Sequence, residues 1–327
     1  MATFAPQTSG GPVEVSTADA IAMAAHGVLA DTHGPLIRLD RRMDASLLGA
    51  EPVVAIGADV IIDTDAELRQ VVATVKAAPI ASVALATLLR TTVGAPLATR
   101  FALESATYST LQAGPEFSAW AQNRTAQSSR NTASAESELP VLVERLDNSA
   151  PGALHLLSTL TVTLNRPHHG NAIDNAVRDL LALALTIAVL DKSIGHIELR
   201  GNGANFCTGG DLDTFATLNN PAEAHAIRLQ RSPARQMAAL GSRVHAFVHG
   251  KCVGSGVELA AFANSVSAAP NTTFGLPELS LGLVPGAGGT ISIVDRIGAQ
   301  RTAWMLFTQR SIDTSTALAW GLIDRVI

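Results

Sequence analysis

The chain is poor in charged residues and in long apolar runs, and each shortage excludes a class of protein. Charged side chains make up only 16% of the 327 residues and the formal net charge is −5, so no basic face is available for nucleic acid. The longest apolar run, residues 180–190, is too short to cross a bilayer and is typical of a buried helix. Residues 1–11 hold no basic residue and no apolar core, which excludes a secretory signal. We therefore expect a soluble, cytoplasmic protein with no membrane partner.

Cysteine is also scarce, and the histidines do not make up for it as metal ligands. The two cysteines, Cys207 and Cys252, lie in different loops without the spacing of a metal site, which is typical of a reducing cytosol. His168, His169 and His249 lack a third partner at ligand spacing, so we expect no metal. Cys207 as a nucleophile would need a recognisable partner histidine, and the sequence offers none.

The first part of the chain reads as mostly helical. Before position 60, the pattern predicts a helix over 18–29 and short strands at 36–39 and 53–56. From position 60 the predicted helices begin after an N-cap cluster at 63–65 and continue over 79–89, 97–111 and 115–120. Residues 122–138 then hold almost nothing apolar, which is the composition of a linker.

After the linker the pattern changes to alternating strands and helices. Residues 141–146 and 154–164 predict a hairpin, and residues 175–190 predict a long helix. Strands at 194–199 and 244–248 each lead into a glycine-rich loop. Strand, loop and helix in repetition indicate an α/β fold, and hydrophobic residues at 47% of the chain suffice for a large core.

Two glycine-rich loops and two acidic residues are the most informative part of this region. The loops span residues 206–211 and 250–256, and each can aim a backbone N–H at one developing oxyanion. Glu258 and Glu278 stand among apolar neighbours, where two carboxylates can share acid and base work on one water. Each glutamate singly is equally well explained as an acid at a helix start. Together with the loops they indicate chemistry at a carbonyl whose neighbouring carbons gain or lose a proton.

A series of short motifs extends along about half of the chain. They are Asn165-Arg166-Pro167 with Asn171-Ala172, residues 201–203, residues 209–212, residues 249–259, residues 274–278, residues 281–290 and residues 321–323. In order and spacing they resemble the crotonase (enoyl-CoA hydratase/isomerase) superfamily. The resemblance implies that the α/β core is a spiral of ββα turns rather than a doubly wound sheet.

The resemblance implies an enoyl-CoA hydratase-like lyase, which adds water across the double bond of an α,β-unsaturated acyl-CoA. The N–H groups of Gly210 and Ser255 would form an oxyanion hole for the thioester oxygen, and Glu258 and Glu278 would act on one water. Ser255 departs from the glycine most common there, but a backbone donor tolerates a serine. Both glutamates are present, and this favours hydration, because many isomerases, hydrolases and dehalogenases of the superfamily lack one. CoA is part of the substrate, and no metal or other cofactor is required.

Further contacts and an assembly are implied by the same resemblance. The substrate-binding candidates are Arg166, Ala172, Thr208, Leu212, Tyr108 and Arg124. Of these, Leu212 would line the CoA path, while Arg166 and Arg124 are the basic candidates for the CoA phosphates. The wall of the acyl pocket is expected near Tyr108, near Phe215 and in the helix after Ser232. Members of the superfamily are commonly trimers or dimers of trimers, so we expect a homo-oligomer.

The loop at residues 285–290 has the composition of a phosphate cradle. It lacks the lysine of a P-loop and does not open an N-terminal βαβ unit. We interpret it as a close-packed turn below the active site.

The order of segments predicts a circular permutation. Members of the superfamily continue past the Gly-Leu-Ile position with helices that cover the acyl site, whereas this chain stops at Ile327. Residues 60–124 resemble those helices and stand in front of the core instead. The resulting division is an N-terminal segment of unclear role (1–59), the helical segment (60–124), a linker (125–140) and the core (141–327). The alternative is an unrelated helical domain fused in front.

Two other functions remain open from the sequence. One keeps the fold and changes the outcome to double-bond isomerisation, or to a specialised reaction on an aromatic or polyketide acyl-CoA. The other is a catalytically silent scaffold that uses the core for assembly. The intact glutamate pair and both loops argue against the scaffold.

Overall fold

The computed structural model describes residues 13–14, 36–39, 59–62, 64–128, 139–147, 157–215 and 220–327. The predicted helix over 18–29, the strand at 53–56 and most of the predicted linker lie outside these residues, as does the start of the second hairpin strand. The helical segment and the core are both described over most of their length.

The described elements follow one another in this order. The strands are β1 (Val13–Glu14), β2 (Leu36–Leu39), β3 (Val60–Ile62), β4 (Val141–Leu146), β5 (Ser158–Leu164), β6 (Ile194–Gly201), β7 (Val244–Val248), β8 (Lys251–Val253), β9 (Ser265–Ala268), β10 (Thr273–Gly275), β11 (Ile312–Asp313) and β12 (Arg325–Val326). The α-helices are α1 (Asp65–Ala77), α2 (Pro79–Thr92), α3 (Leu97–Gln112), α4 (Pro115–Ser128), α5 (Asn175–Leu190), α6 (Leu212–Phe215), α7 (Pro221–Gln230), α8 (Pro233–Leu240), α9 (Ser255–Ala260), α10 (Gly289–Ile297), α11 (Ala299–Thr308) and α12 (Thr314–Trp320). Short 3-10 helices span Pro167–His169, Gly241–Arg243 and Glu278–Leu281.

A six-stranded sheet in the order β12-β9-β7-β6-β5-β4 forms the main layer of the core. Strands β4 and β5 pair antiparallel and confirm the predicted hairpin, while the other neighbours pair parallel. Every second residue of β5 is buried, as expected for a strand with one face on the core. This mostly parallel sheet agrees with the predicted α/β class.

Helix α5 covers one face of this sheet and has the predicted bounds. Its start is fixed by Asp174, whose side chain accepts a hydrogen bond from the N–H of Val177 at 2.8 Å. Leu181 and Leu185 lie one turn apart on its apolar face, and both are fully buried. The helix packs against β4, β5 and α8.

A second sheet, in the order β11-β10-β8, brings the two glycine-rich loops together. Strand β8 pairs parallel with β10, and Cys207 forms an isolated bridge with Cys252. Because β8 and β10 run parallel, the loop that follows β8 and the segment that carries Glu278 leave the sheet at the same edge. A functional site is therefore expected at this edge.

The helical segment begins with a well-capped helix. Thr64 accepts from the N–H of Glu67 at 3.2 Å, and the Glu67 carboxylate accepts from the N–H of Thr64 at 3.3 Å, which forms a capping box. Helix α4 continues through Ser128, so the predicted end at Trp120 is wrong. Its last two turns hold Ala, Gln and Arg, which are good helix formers, but no apolar stripe that would predict a helix. No single described helix is long and apolar enough to span a bilayer, and α1 with α2, which qualify together, meet at a 109° bend.

The helical segment packs directly on the core of the same chain. Helix α1 and β3 lie against α11, and α3 lies against α7 and α10. Arg100 pairs with Asp295 at 2.8 Å, and Arg310 pairs with Glu67 at 3.2 Å. A detached helical domain is thereby excluded. The permutation itself stays a hypothesis, for which this packing is a requirement.

Candidate functional site

One cavity of about 390 Å³ collects the main predicted residues. It lies where the two glycine-rich loops meet helix α3 and the 3-10 helix at Glu278–Leu281. Gly210, Ser255, Glu258 and Glu278 all line it. Side chains that lie far apart in the sequence therefore face a single space.

The glycine-rich loops approach each other closely, and this explains the small residues. Gly209 has φ +102° and Gly254 has φ +51°, conformations that favour glycine. A Cβ on Gly256 would lie 2.5 Å from the carbonyl oxygen of Cys207, so no larger residue fits there. Among the described residues, the backbone N–H groups of Gly210 and Ser255 donate to no acceptor. Two residues of the cavity lining thus carry a backbone donor that no described acceptor engages.

Glu258 is buried in the cavity wall, with 2% of its surface exposed. Its Oε2 accepts from the N–H groups of Ala287 and Gly289, each at 2.8 Å. Burial raises the pKa of this carboxyl well above its ordinary range, and the nearby Glu278 and Glu104 raise it further. The two N–H bonds oppose that shift because they stabilise the charged form.

Glu278 receives fewer hydrogen bonds than Glu258. It stands at the first position of a 3-10 helix, and burial raises its pKa to about 8. Its Oε2 is buried and has no hydrogen-bond partner in the described part of the chain. Its Oε1 lies beside Gly254, where a Cβ would come within 3.0 Å of it. A buried carboxyl oxygen without a partner suits a protonated acid or a site for a reacting water.

A third buried glutamate, Glu104, reaches the site from helix α3. It accepts from the N–H of Gly288 at 2.7 Å, and from the N–H and the hydroxyl of Thr290 at 3.0 and 2.6 Å. Burial raises its pKa to about 7, against the effect of these bonds. Sequence reasoning named the segment around Glu104 but gave this residue no role.

The loop at residues 285–290 binds carboxylates where a phosphate cradle would bind phosphate. Its N–H groups, at the start of α10, are occupied by Glu258 on one side and Glu104 on the other. Gly286 and Ala287 line the cavity. The loop is therefore part of the wall of the site rather than a turn below it, and it links the helical segment to the predicted acid pair.

The predicted substrate-binding residues divide into two groups. Tyr108, Thr208 and Leu212 line the cavity, as do Phe215 and Ser232. The structure thus brings the three expected parts of the pocket wall together.

The second group lies outside the cavity lining. Ala172 accepts from the Arg166 guanidinium at 3.1 Å through its carbonyl. Arg166 also pairs with Asp174 at 3.1 Å and with Asp211 at 3.2 Å. Arg124 pairs with Asp213 at 2.7 Å on the surface. Both arginines therefore already carry carboxylate partners.

The cysteines are buried and poorly suited to nucleophilic chemistry. Burial raises the pKa of the Cys207 thiol to about 12 and also raises that of Cys252, and the neutral thiol is a weak nucleophile. Within the described residues, no three His, Cys, Asp or Glu side chains are placed to hold a metal ion.

Three arginines of the cavity wall have no motif in the sequence. They are Arg178, Arg228 and Arg231. Arg178 and Arg231 both pair with Asp179, at 2.7 and 2.8 Å. Sequence reasoning missed them because the helices that carry them have no family signature, and only the packing of α7 on α3 brings Arg228 to the cavity.

Comparison with known families identifies the core. Residues 157–327, just over half of the chain, match the family described as Enoyl-CoA hydratase/isomerase. The matched range contains both glycine-rich loops, Glu258 and Glu278. Helices α1 to α4 lie outside it.

Curated relatives match over the same half. The chain is 36% identical over 173 residues to the 2,3-dehydroadipyl-CoA hydratase of Escherichia coli (strain K12). This match covers 51% of this chain and 65% of that protein. It is 34% identical over 172 residues to the mevalonyl-coenzyme A hydratase sidH of Aspergillus fumigatus. This match covers 51% of this chain and 62% of that protein. The match therefore spans slightly less than two thirds of each relative.

Solved structures give the same result for the fold. The enoyl-CoA hydratase from Thermoplasma volcanium GSS1 superposes with a TM-score of 0.50 at 27% identity, over 58% of this chain and 72% of that one. Pseudomonas aeruginosa AtuE superposes with a TM-score of 0.50 at 30% identity, over 57% and 70%. The predicted crotonase-like core is confirmed.

Proposed function

Since the chain belongs to the enoyl-CoA hydratase/isomerase family, we propose that it hydrates an α,β-unsaturated acyl-CoA. The observation that carries this proposal is the pair of buried glutamates with raised pKa values on one cavity, beside two unoccupied backbone donors. Hydration needs a base for water, an acid for the α-carbon and stabilisation of the enolate oxygen. The cavity has a candidate group for each.

The N–H groups of Gly210 and Ser255 would receive the thioester oxygen. Charge develops on that oxygen when water adds to the β-carbon, so donors fixed in the wall stabilise the transition state more than the substrate. One such donor typically contributes about 3 kcal/mol. The donor of Ser255 belongs to the backbone, so its side chain is not required for this role.

The two glutamates would divide the proton transfers. Burial raises both pKa values, and the hydrogen bonds distinguish them. Glu258 receives two N–H bonds that stabilise its charged form, and it would remove the proton from water. Glu278, with a pKa of about 8, keeps its proton at neutral pH and would deliver a proton to the α-carbon. No step requires a metal or a redox cofactor.

The substrate class and the oligomeric state are proposed as well. The relatives are named for hydratases of different acyl-CoA thioesters, so an acyl-CoA is the substrate class that their names support. An exposed apolar stripe on α5, formed by Leu183, Ile187 and Leu190, supports a homo-oligomer because these residues share one helix face. Light scattering on the purified protein measures that state.

The proposal is tested by following crotonyl-CoA and longer 2-enoyl-CoA thioesters through the loss of enoyl absorbance. We expect hydration to the 3-hydroxyacyl product. Migration of the double bond without water uptake would instead establish the isomerase. Tight binding of acyl-CoA with no turnover of any thioester would establish the scaffold.

A further inference from the structure

Arg228 is a cation in the cavity wall whose hydrogen-bond acceptors are all neutral side chains. It lies half-buried on α7, with its guanidinium carbon 4.4 Å from the centre of the Tyr108 ring. Its N–H groups donate to Ser105 Oγ at 3.4 Å, to Gln112 Oε1 at 3.5 Å and to Ser109 Oγ. All three acceptors are neutral, and no Asp or Glu of the described ranges forms an ion pair with this guanidinium.

The other charges around the cavity form no ion pair with Arg228. The charge of Glu104 acts on it only at a distance, because that carboxylate binds Gly288 and Thr290. Arg178 and Arg231 share a single carboxylate, that of Asp179. Asp174 is paired with Arg166. Of the acid pair, Glu278 keeps its proton at neutral pH, and the Glu258 carboxylate is held by the N–H groups of Ala287 and Gly289. This side of the cavity is therefore positively charged.

A guanidinium in such a place is unfavourable unless an anion joins it. Burial disfavours the charged form of Arg228 and lowers its pKa. Tyr108 and Glu104 oppose this shift in part, and the nearby charge of Arg178 adds to it. Contact with the Tyr108 ring offsets only part of that cost. A carboxylate in the cavity would restore the balance with charge-assisted hydrogen bonds.

The position of Arg228 indicates which part of a substrate would carry the anion. The Tyr108 ring lies against Gly286, where a Cβ would come within 2.4 Å of it. The next residue, Ala287, holds Glu258 through its N–H. Arg228 is thus separated from Glu258 by one aromatic ring and one loop, so an anion bound to it would lie away from the reacting carbons.

We propose that Arg228 binds a carboxylate at the far end of the acyl chain, so that the preferred substrates are 2-enoyl-CoA thioesters of dicarboxylic acids. This inference rests on the proposed function for its substrate class. The phosphates of CoA are the other source of an anion, and the experiment separates the two.

The test compares pairs of thioesters that differ only at the end of the chain. Each pair has a free ω-carboxylate or its methyl ester, and each is prepared both as the CoA thioester and as the N-acetylcysteamine thioester, which has no phosphate. The readout is the ratio of kcat/KM between the two members of a pair. We expect a ratio of about 10 to 100 in favour of the carboxylate with both carriers, as for a charge-assisted hydrogen bond.

Substitutions at Arg228 test whether this residue causes the difference in kcat/KM between the two chain ends. Arg228→Met should bring the ratio close to one, and Arg228→Lys should keep part of it because the charge remains. The matched control is Arg235→Met, which removes an exposed arginine of the neighbouring helix α8, outside the cavity lining, and should leave the ratio unchanged. A ratio near one in the unaltered enzyme, or one that survives in Arg228→Met, overturns the proposal. A loss confined to CoA thioesters, equal for both chain ends, assigns Arg228 to the phosphates and also overturns it.

A binding measurement tests the carboxylate site independently of the proposed function. Saturated thioesters of the same chains cannot react, and calorimetry on them measures affinity alone. If no thioester is hydrated, the proposed function fails, yet a tighter affinity for the carboxylate chain that disappears in Arg228→Met would still support the carboxylate site. Equal affinities for both chain ends would refute it.

Discussion

The core and the helical segment contribute to the same site in different ways. The core carries its chemistry in short motifs, and the loops and acids of those motifs lie on the cavity. The helical segment has no such motif, yet Glu104, Tyr108 and Gln112 reach the site from one of its helices. Motifs therefore indicate the reacting groups, while packing positions without a motif form the wall and tune the charge around these groups.

The same contrast appears among the three buried glutamates. Glu258 and Glu104 bind the N–H groups of one loop from opposite sides, whereas Glu278 has an oxygen without a partner. Residues from both regions therefore stabilise one loop. The experiments below test how far the two regions depend on each other.

The largest effect is expected from removing the helical segment altogether. Met305, Leu306 and Phe307 of α11 are fully buried, and α11 packs against β3 and α1. A chain that begins at Leu139 should expose part of this surface and aggregate. The soluble fraction after expression measures this, and supplying residues 59–138 as a second polypeptide should restore it. A soluble, monodisperse core would show that the segment is dispensable and would weaken the permutation hypothesis.

The next largest effect concerns the acid pair of the core. Glu258→Gln and Glu278→Gln should each lower kcat by about 10²-fold or more, because each variant loses a proton transfer. Affinity for a non-reactive acyl-CoA should change little, since the thioester oxygen would still meet its donors. Near-normal turnover in either variant would eliminate the two-glutamate mechanism.

Glu104→Gln tests whether the helical segment also tunes the chemistry. We expect kcat/KM to fall by about tenfold, because glutamine has one accepting oxygen where the carboxylate has two and so cannot keep all three of the present bonds. The negative charge of Glu104 raises the pKa of Glu278. Removing that charge should lower the pKa of Glu278, so the loss of activity that we expect near pH 8 should occur at a lower pH. Glu223→Gln removes an exposed acid of α7 and serves as the control. An unmoved pH profile would leave Glu104 with a purely structural role.

The sequence predicts the core better than the site, and particular residues show why. Helix α5 and strand β7 have their predicted bounds because local signals fix them: the Asp174 cap and apolar periodicity. Helix α4 was predicted too short because its last turns have no apolar stripe. Glu104 was missed because its partner Gly288 lies 184 positions away along the chain, and no local pattern encodes that contact.

The smallest effect is a dependence of stability on pH. Glu278 has a pKa of about 8 in the folded protein and an ordinary value of 4.5 when unfolded, so the folded state holds the extra proton between these values. Its contribution to the free energy of unfolding is therefore present below about pH 4.5 and is lost as the pH rises toward 8. Glu278→Gln carries no titrating proton there. The midpoint of thermal unfolding of this variant should rise relative to the unaltered protein as the pH increases through that window, by a few degrees in total. A constant difference between the two proteins across the window would mean that Glu278 is ionised in the folded state, and a different residue would then have to supply the acid.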